Sequence, residues 1–345
     1  MQIHDNCSLL PYNTFGIQAQ ARVLVTYDSD RELLQALRLY HSSYAGLPLL
    51  HIGSGSNLLF LSDFPGMVLH SHVEGVTVLG QEGDDVLVRV GAGVEHDAWV
   101  ARAVASGWHG LENLSLIPGQ VGASAVQNIG AYGVEAQSVI ERVEGVSLTT
   151  GESRSWDNAQ CGYGYRSSVF KGALRGQYAI THVTYRLHRT FQPHLDYGAL
   201  RSTLQSQGID AGQVTAEQLR QVIIGVRQSK LPDPKVQGNA GSFFMNPVVS
   251  REVWQEIQAA YPSAPHYDVD EEHVKVPAGW LIEQAGWKGR ALGRAAVHDR
   301  QALVLVNRGG ATGADILALC DAVRADVRSR FGIDLHPEVN FIGGR

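Results

Sequence analysis

Residues 117–133, IPGQVGASAVQNIGAYG, constrain this chain more than any other stretch. They carry four glycines, three alanines and one serine, yet ordinary core sequence flanks them on both sides. Glycine-rich linkers are polar and flexible, whereas glycines set inside core sequence mark backbone that must approach something closely. The expectation is backbone packed against a flat or extended group, for which a large cofactor is the natural candidate. A loop with a purely structural role is the competing reading. Asn128 and Tyr132 weigh against it, because a plain turn has no use for their polar and aromatic groups.

At 345 residues the chain exceeds the usual size of one domain, so two or three compact units are expected. Hydrophobic residues make up 44% and charged residues 18%, a soluble balance, and no apolar run is long enough to span a bilayer. The start, MQIHDN, has neither the basic nor the apolar region of an export signal. Cys7, Cys161 and Cys320 stand far apart without CxxC spacing. Reduced thiols in a cytoplasm fit these features. A formal net charge of −6 argues against nucleic-acid affinity and requires that an anionic substrate be met by locally placed Lys or Arg. The fourteen histidines show no HExxH or Cys/His cluster, so no metal site is expected.

From Arg22 the pattern reads β-α-β: a β-like run at 23–27, a helix at 30–44 with Leu33, Leu34, Leu37 and Tyr40 on one face, and a strand at 47–52. Short β-branched runs at 76–79, 86–90, 139–148 and 178–187, with a helix at 95–105, predict a second α+β unit. Helices at 215–228, 251–260, 278–284 and 313–330, with strands at 302–306 and 339–342, predict a third and more helical unit. Boundaries fall near 70 and 215.

Two further stretches carry chemistry. In Gly53-Ser54-Gly55-Ser56-Asn57, two glycines two apart permit positive φ, so successive N–H groups can converge on an anion while the hydroxyls add donors. The loop fits neither GxGxxG nor GxxxxGKS, and a tight connection between strands explains it equally well when taken alone. In the segment 229–247, Pro232 and Pro234 set an extended course, Gly238 and Gly241 allow tight turns, and Ser242 precedes Phe243 and Phe244. A hydroxyl held beside apolar rings on a constrained loop suits proton transfer, although a turn serine is the ordinary reading. No GxSxG elbow surrounds it, which disfavours serine-hydrolase chemistry. Arg166, in the aromatic run 163–166, could pair a carboxylate in bidentate fashion, and Glu338 lies at the start of a terminal β-run.

Read in order, NTFGI (13–17), GSGSNLLF (53–60), LIPGQVGASAVQNIGAYG (116–133), GYRSSVFK (164–171), KLPDPKVQGNAGSFFMNP (230–247), AGWLIEQAG (278–286), AAVH (295–298) and HPEVNFIG (336–343) resemble the successive blocks of the UDP-N-acetylenolpyruvoylglucosamine reductase (MurB) family. Eight blocks in order over nearly the whole chain are highly specific, and the segment Leu195–Gly198 resembles the tyrosine-bearing loop of the type I branch.

The resemblance implies an α+β fold: an FAD-binding module of the PCMH or vanillyl-alcohol-oxidase type with subdomains at 1–70 and 71–214, and a substrate domain at 215–332. The C-terminal segment, 333–345, should pack back near the active site. It implies FAD contacts from Gly53, Ser54, Gly55, Ser56 and Asn57 and from Pro118, Gly119, Gly122, Ala123, Ser124, Asn128, Gly130, Ala131, Tyr132 and Gly133, with Ile180 beside them. NADPH would be the co-substrate and UDP-N-acetylglucosamine enolpyruvate the substrate. By the same matching Ser242 is the proton donor, Arg166 and Glu338 act on the substrate carboxylate, and Tyr197, Lys230, Asn246, Lys275 and Gln301 are candidates for holding the uridine diphosphate or the substrate carboxylate. A monomer is expected. A PCMH-type flavin oxidase of a sugar or alcohol would share the cofactor module, but the Ser242 and Glu338 blocks speak against it. A non-catalytic flavin or nucleotide-sugar binder would have no need of Arg166, Ser242 and Glu338 together.

Overall fold

The computed structural model describes residues 1–197 and 200–344, so Gly198 of the tyrosine-bearing loop lies outside the described residues. The chain forms two compact units, one of Met1–Cys7, Ala21–Ser54 and Pro65–Ser229, the other of Ser8–Gln20, Gly55–Phe64 and Lys230–Arg345.

Among the described residues the first unit holds a four-stranded sheet, a five-stranded sheet and a two-stranded one. In the four-stranded sheet the order is Gln2–Ser8, Gln20–Tyr27, Phe64–Ser71, Leu49–Ile52, with the last two strands parallel. Helix α1 (Asp30–Leu39) starts at Ser29, whose side chain accepts from the Glu32 N–H, and buries Leu33, Ala36 and Leu37. These pack with Val23, Val25, Met67 and Leu69, and Leu34 and Tyr40 join at the margin, as the apolar spacing predicts. The β-α-β reading is therefore right in its elements. The strand Phe64–Ser71, however, takes the place beside Leu49–Ile52.

The five-stranded sheet is antiparallel, ordered Ser153–Asp157, Ile140–Ser147, Tyr178–His188, Asp85–Gly91, Val76–Glu82. Alternation along Asp85–Gly91 turns Val86, Val88 and Val90 inward, where they meet Trp99, Val100 and Ala103 of helix α2 (His96–Ala105) and Val121 and Ala125 of helix α3 (Val121–Gln127). Val146 and Ala179 of this sheet, with Leu148 just beyond it, share a core with α1, so both sheets belong to one compact unit.

Helices α4 (Leu200–Ser206) and α5 (Ala216–Lys230) close a smaller core of Leu195, Leu200, Leu204, Leu219, Val222 and Ile223. Most of α5, predicted to open the substrate domain, belongs to the first unit because its apolar face is already committed there.

The second unit contains a four-stranded sheet ordered Asn239–Ser242, Val304–Asn307, Ala295–Val297, Ala291–Leu292 and a three-stranded one ordered Val248–Ser250, His273–Lys275, Tyr267–Asp268. Helices α6 (Arg251–Ala260), α7 (Ala278–Gln284) and α8 (Gly313–Phe331) complete it. A capping box between Thr312 and Asp315 starts α8, and Gly332 at φ 66° ends it. The C-terminal strand Asn340–Ile342 runs parallel to Leu58–Phe60, pairing Phe341 with Leu59. Chain that follows the GSGSN loop is thereby joined to the last described residues.

Three histidines of the first unit are held neutral. Burial drives the pKa of His51, His70 and His96 down to about 4. In the unfolded chain each titrates near 6.5, so below that value the unfolded state binds more protons. Their contribution is complete above pH 6.5 and is lost as the pH falls toward 4, at roughly 3 kcal/mol for the fully buried His96. Urea midpoints should drop between pH 7.5 and pH 5, and His96→Gln should show a smaller drop; a midpoint independent of pH would contradict this.

Candidate active site

In the first unit the two Gly-rich stretches meet. A Cβ on Gly53 would lie 3.0 Å from Gln120 Oε1 and 3.5 Å from Ala123 Cβ, so the first glycine of the GSGSN loop faces the start of α3. The Gln120 side chain donates to the carbonyls of Ser71 and Gly93, fixing that start against both sheets. A Cβ on Gly122 would come within 2.8 Å of Ala92 Cβ, closer than such atoms approach. Residues 121–127 carry no helical apolar pattern. They form a helix because glycine, alanine and serine are small enough for its backbone to lie directly on Ala92.

On either side of α3 the backbone is bent sharply. Leu116 has φ 58°, Gly119 123° and Asn128 44°. Tyr132 and Gly133, at 49° and 82°, form the two-residue turn that joins Gly130–Ala131 to Val134–Glu135. Left-handed conformations at non-glycine residues cost energy and persist only where the surroundings impose them. Leu116 is held by its N–H to Asp97 Oδ1 at 2.5 Å, and Asp97 in turn takes a paired contact from Arg220 of α5 at 2.7 and 3.1 Å. Burial would raise the Asp97 pKa, but the Arg220 guanidinium and the Leu116 N–H outweigh it and the carboxyl stays below its usual range.

Arg227, seven residues after Arg220 on α5, donates from Nε to the Leu116 carbonyl at 3.3 Å and bonds the Tyr132 hydroxyl. Burial lowers its pKa, and burial raises that of Tyr132. Sequence reasoning missed Arg227, although a seven-residue spacing within a predicted helix places both arginines on one face.

Arg166 sits on a two-residue hairpin closed by Gly164 N–H to Ser167 O at 3.1 Å and Ser167 N–H to Gly164 O at 3.0 Å. Its own φ is 53°, its guanidinium donates to Gly130 O at 2.9 Å, and its carbonyl accepts from Lys171 Nζ at 2.8 Å. Tyr197 is exposed and packs edge-on to Tyr132 at 6.3 Å, beside Gly133. Ile180 is buried in the five-stranded sheet opposite Gly145.

The second unit brings Ser242, Glu338 and Asn57 together. Ser242 ends the strand Asn239–Ser242 opposite Val304. Asn239 Oδ1 accepts from the N–H of Gly241, which has φ 67°, and Phe243 and Phe244 are fully buried behind the serine. The next residue bonds the C-terminal segment: the Glu338 N–H donates to Phe243 O at 2.8 Å, and Phe244 bridges Pro337. Asn57 Nδ2 donates to Glu338 O at 3.2 Å and Asn57 O accepts from Asn340 N–H at 3.0 Å. Glu338 is thus fixed by its backbone on both sides. Of the expected substrate contacts, Asn246 Oδ1 accepts from Ala278 N–H at the start of α7, and Gln301 Oε1 lies 3.3 Å from where a Cβ of Gly279 would be. Lys275 is half-buried in the three-stranded sheet and Lys230 is exposed at the end of α5.

An FAD needs unobstructed backbone at several successive points. Gly53 seated on Gln120 and Gly122 seated on Ala92 bring the two Gly-rich stretches together, and the positive-φ turns at Gly119, Tyr132 and Gly133 expose backbone beside them, so the residues fit the group. A model of the FAD binding domain matches residues 21–155, and a model of the UDP-N-acetylenolpyruvoylglucosamine reductase C-terminal domain matches residues 233–342. Among solved structures, the reductase from Thermus caldophilus is similar over 99% of this chain and 98% of its own, with TM-score 0.68 and 23% identity. p-Cresol methylhydroxylase is similar over 96% and 85%, with TM-score 0.50. The FAD-binding match and the fold shared with these structures define an FAD-binding protein of α+β architecture. UDP-N-acetylenolpyruvoylglucosamine reductase of Bacteroides fragilis is 55% identical over 97% of this chain and 98% of its own length, and that of Porphyromonas gingivalis 48% identical over 99% and 100%. The chain belongs to this reductase family.

Gly55, at φ 65°, tests the loop. A Cβ there would stand 1.9 Å from the Tyr12 carbonyl oxygen. Gly55→Ala should destabilise the protein by at least about 2 kcal/mol, read as a lowered urea midpoint, and an unchanged midpoint would contradict the close approach.

Proposed function

We propose that this chain reduces the enolpyruvyl ether of UDP-N-acetylglucosamine with NADPH, giving UDP-N-acetylmuramate for peptidoglycan synthesis. The observation that carries this reading is the bond from the Glu338 N–H to Phe243 O, which sets the glutamate segment beside the residue following Ser242. An FAD held there would supply two-electron chemistry, linking hydride donation by NADPH to reduction of the substrate at C3. In this reading Gly53–Asn57 and Pro118–Ser124 hold the diphosphate and flavin, with Gly130–Gly133 alongside.

Adding a hydride to C3 of an electron-rich enol ether leaves negative charge that spreads from C2 into the carboxylate as an enediolate. Arg166 stabilises that charge as a guanidinium, and Glu338 does so by sharing a proton with the carboxylate. Ser242 Oγ then gives its proton to C2 and recovers one from water. A hydroxyl is a weak acid, yet the carbon base is strong and transient, so placement decides the rate. Gly241 and the Asn239 clamp provide that placement. Tyr197, Lys230, Asn246, Lys275 and Gln301 bind the uridine diphosphate and the substrate carboxylate, which supplies the local cations that a chain of net charge −6 requires. The enzyme works in the cytoplasm as a monomer.

Anaerobic NADPH should bleach the flavin band, and the enolpyruvyl substrate should restore it. In Ser242→Ala the bleaching should persist while restoration slows by about 10²–10⁴-fold. Failure of NADPH to bleach the flavin would favour an oxidase, and unchanged restoration in the variant would remove Ser242 from proton transfer.

A further inference from the structure

Asn128 stands where the resemblance expects a cofactor contact, yet its side chain is spent inside the protein. It is 0% exposed and closes α3 in the left-handed conformation, φ 44° and ψ 59°. A carboxamide has two N–H donors and one carbonyl oxygen. Asn128 Nδ2 donates to Glu135 Oε2 and to Gly164 O, each at 2.9 Å, and Oδ1 accepts from the Gln137 N–H at 3.0 Å. Both protons are used, and no donor remains for a bound group.

The two groups that accept from Asn128 lie on two hairpins. Gly164 opens the one that carries Arg166, and its carbonyl also accepts the closing bond from Ser167. Glu135 belongs to the other, Gly130–Glu135, whose Gly130 carbonyl accepts the Arg166 guanidinium at 2.9 Å. A ring of contacts thus runs from Asn128 through Gly164 to Arg166, on to Gly130 and through Glu135 back to Asn128. Lys171 Nζ, on the Arg166 carbonyl, braces the ring from outside, and Gln137 Nε2, at 2.6 Å from Glu135 Oε2, braces its far side. At φ 53° Arg166 lies in a region that arginine leaves readily, so its direction depends on these contacts.

We propose that Asn128 is a positioning residue for Arg166, aiming the guanidinium by tying its hairpin to the Gly130–Glu135 hairpin, and is not itself a ligand of the cofactor. This rests on the reading of Arg166 as the partner of the substrate carboxylate.

The test compares half-reactions in the FAD-loaded enzyme. Asn128→Gly keeps the left-handed backbone and removes only the amide. Flavin affinity, read by spectral titration, and the rate of bleaching by NADPH should stay within about twofold of the parent, whereas reoxidation by the enolpyruvyl substrate should slow by about 100-fold, the usual effect of a small misplacement of a reacting group. Arg166→Lys should slow reoxidation as well, and adding Asn128→Gly to it should cost little more, because both changes remove one interaction. Weakened flavin binding with normal reoxidation would make Asn128 a cofactor ligand and overturn the proposal, as would fully additive effects. Normal reoxidation in Arg166→Lys would instead overturn the role of Arg166, and the proposal with it. Should Asn128→Gly fail to fold, Lys171→Met removes the outer brace on Arg166 and must slow reoxidation while leaving flavin affinity intact; normal reoxidation there would overturn the ring.

Discussion

Backbone lies against backbone in this protein at distances that no side chain would permit. A Cβ on Gly122 would collide with Ala92 and one on Gly55 with the Tyr12 carbonyl, and these approaches seat the Gly-rich stretches of each unit. Close approach is a steric constraint rather than an attraction. It holds only because the buried cores around Trp99 and Tyr185 in one unit, and around Phe243 and Phe244 in the other, keep the sheets in place. The sharp turns at Leu116, Tyr132 and Arg166 depend on the same rigidity, since each occupies a backbone region that a looser structure would abandon.

Polar side chains then turn this scaffold into a site. Arg220 neutralises Asp97, Asp97 holds Leu116, and Leu116 meets Arg227, so α5 controls the start of the segment 116–133 from outside it. Asn57 does comparable work in the second unit, receiving Asn340 on its carbonyl and reaching Glu338 with its amide. Asn57 and Asn128, both expected beside the cofactor, thus serve as connectors between chain segments far apart in sequence. Short polar side chains suit this because they satisfy several backbone groups with little entropy to lose.

Elements with regular apolar spacing were legible. Helices at 251–260 and 278–284 appear as expected, and α1 buries the face that its leucines mark. Helix α3 was not, because small residues leave no 3.6-residue apolar pattern and its glycine argues against a helix until Ala92 is known to lie beneath it. The periodicity of α5 likewise reveals an apolar face but not which core receives it. Ser242, Arg166 and Glu338 were visible as motif positions, whereas Arg227 was passed over because nothing local distinguishes an arginine that packs against the fold from one that remains solvated.

By itself the sequence determined the α+β composition of the units, the places where backbone must approach closely, and the residue types available for carboxylate and proton chemistry. These follow from local rules: periodicity, the absence of a Cβ, and side-chain functionality. Only the tertiary structure decided that Leu58–Phe60 pairs with Asn340–Ile342, that Glu338 hangs from Phe243, and that Asn128 joins two hairpins. Such contacts link residues up to some 280 positions apart, where the partner is selected by which surfaces remain once the cores have packed.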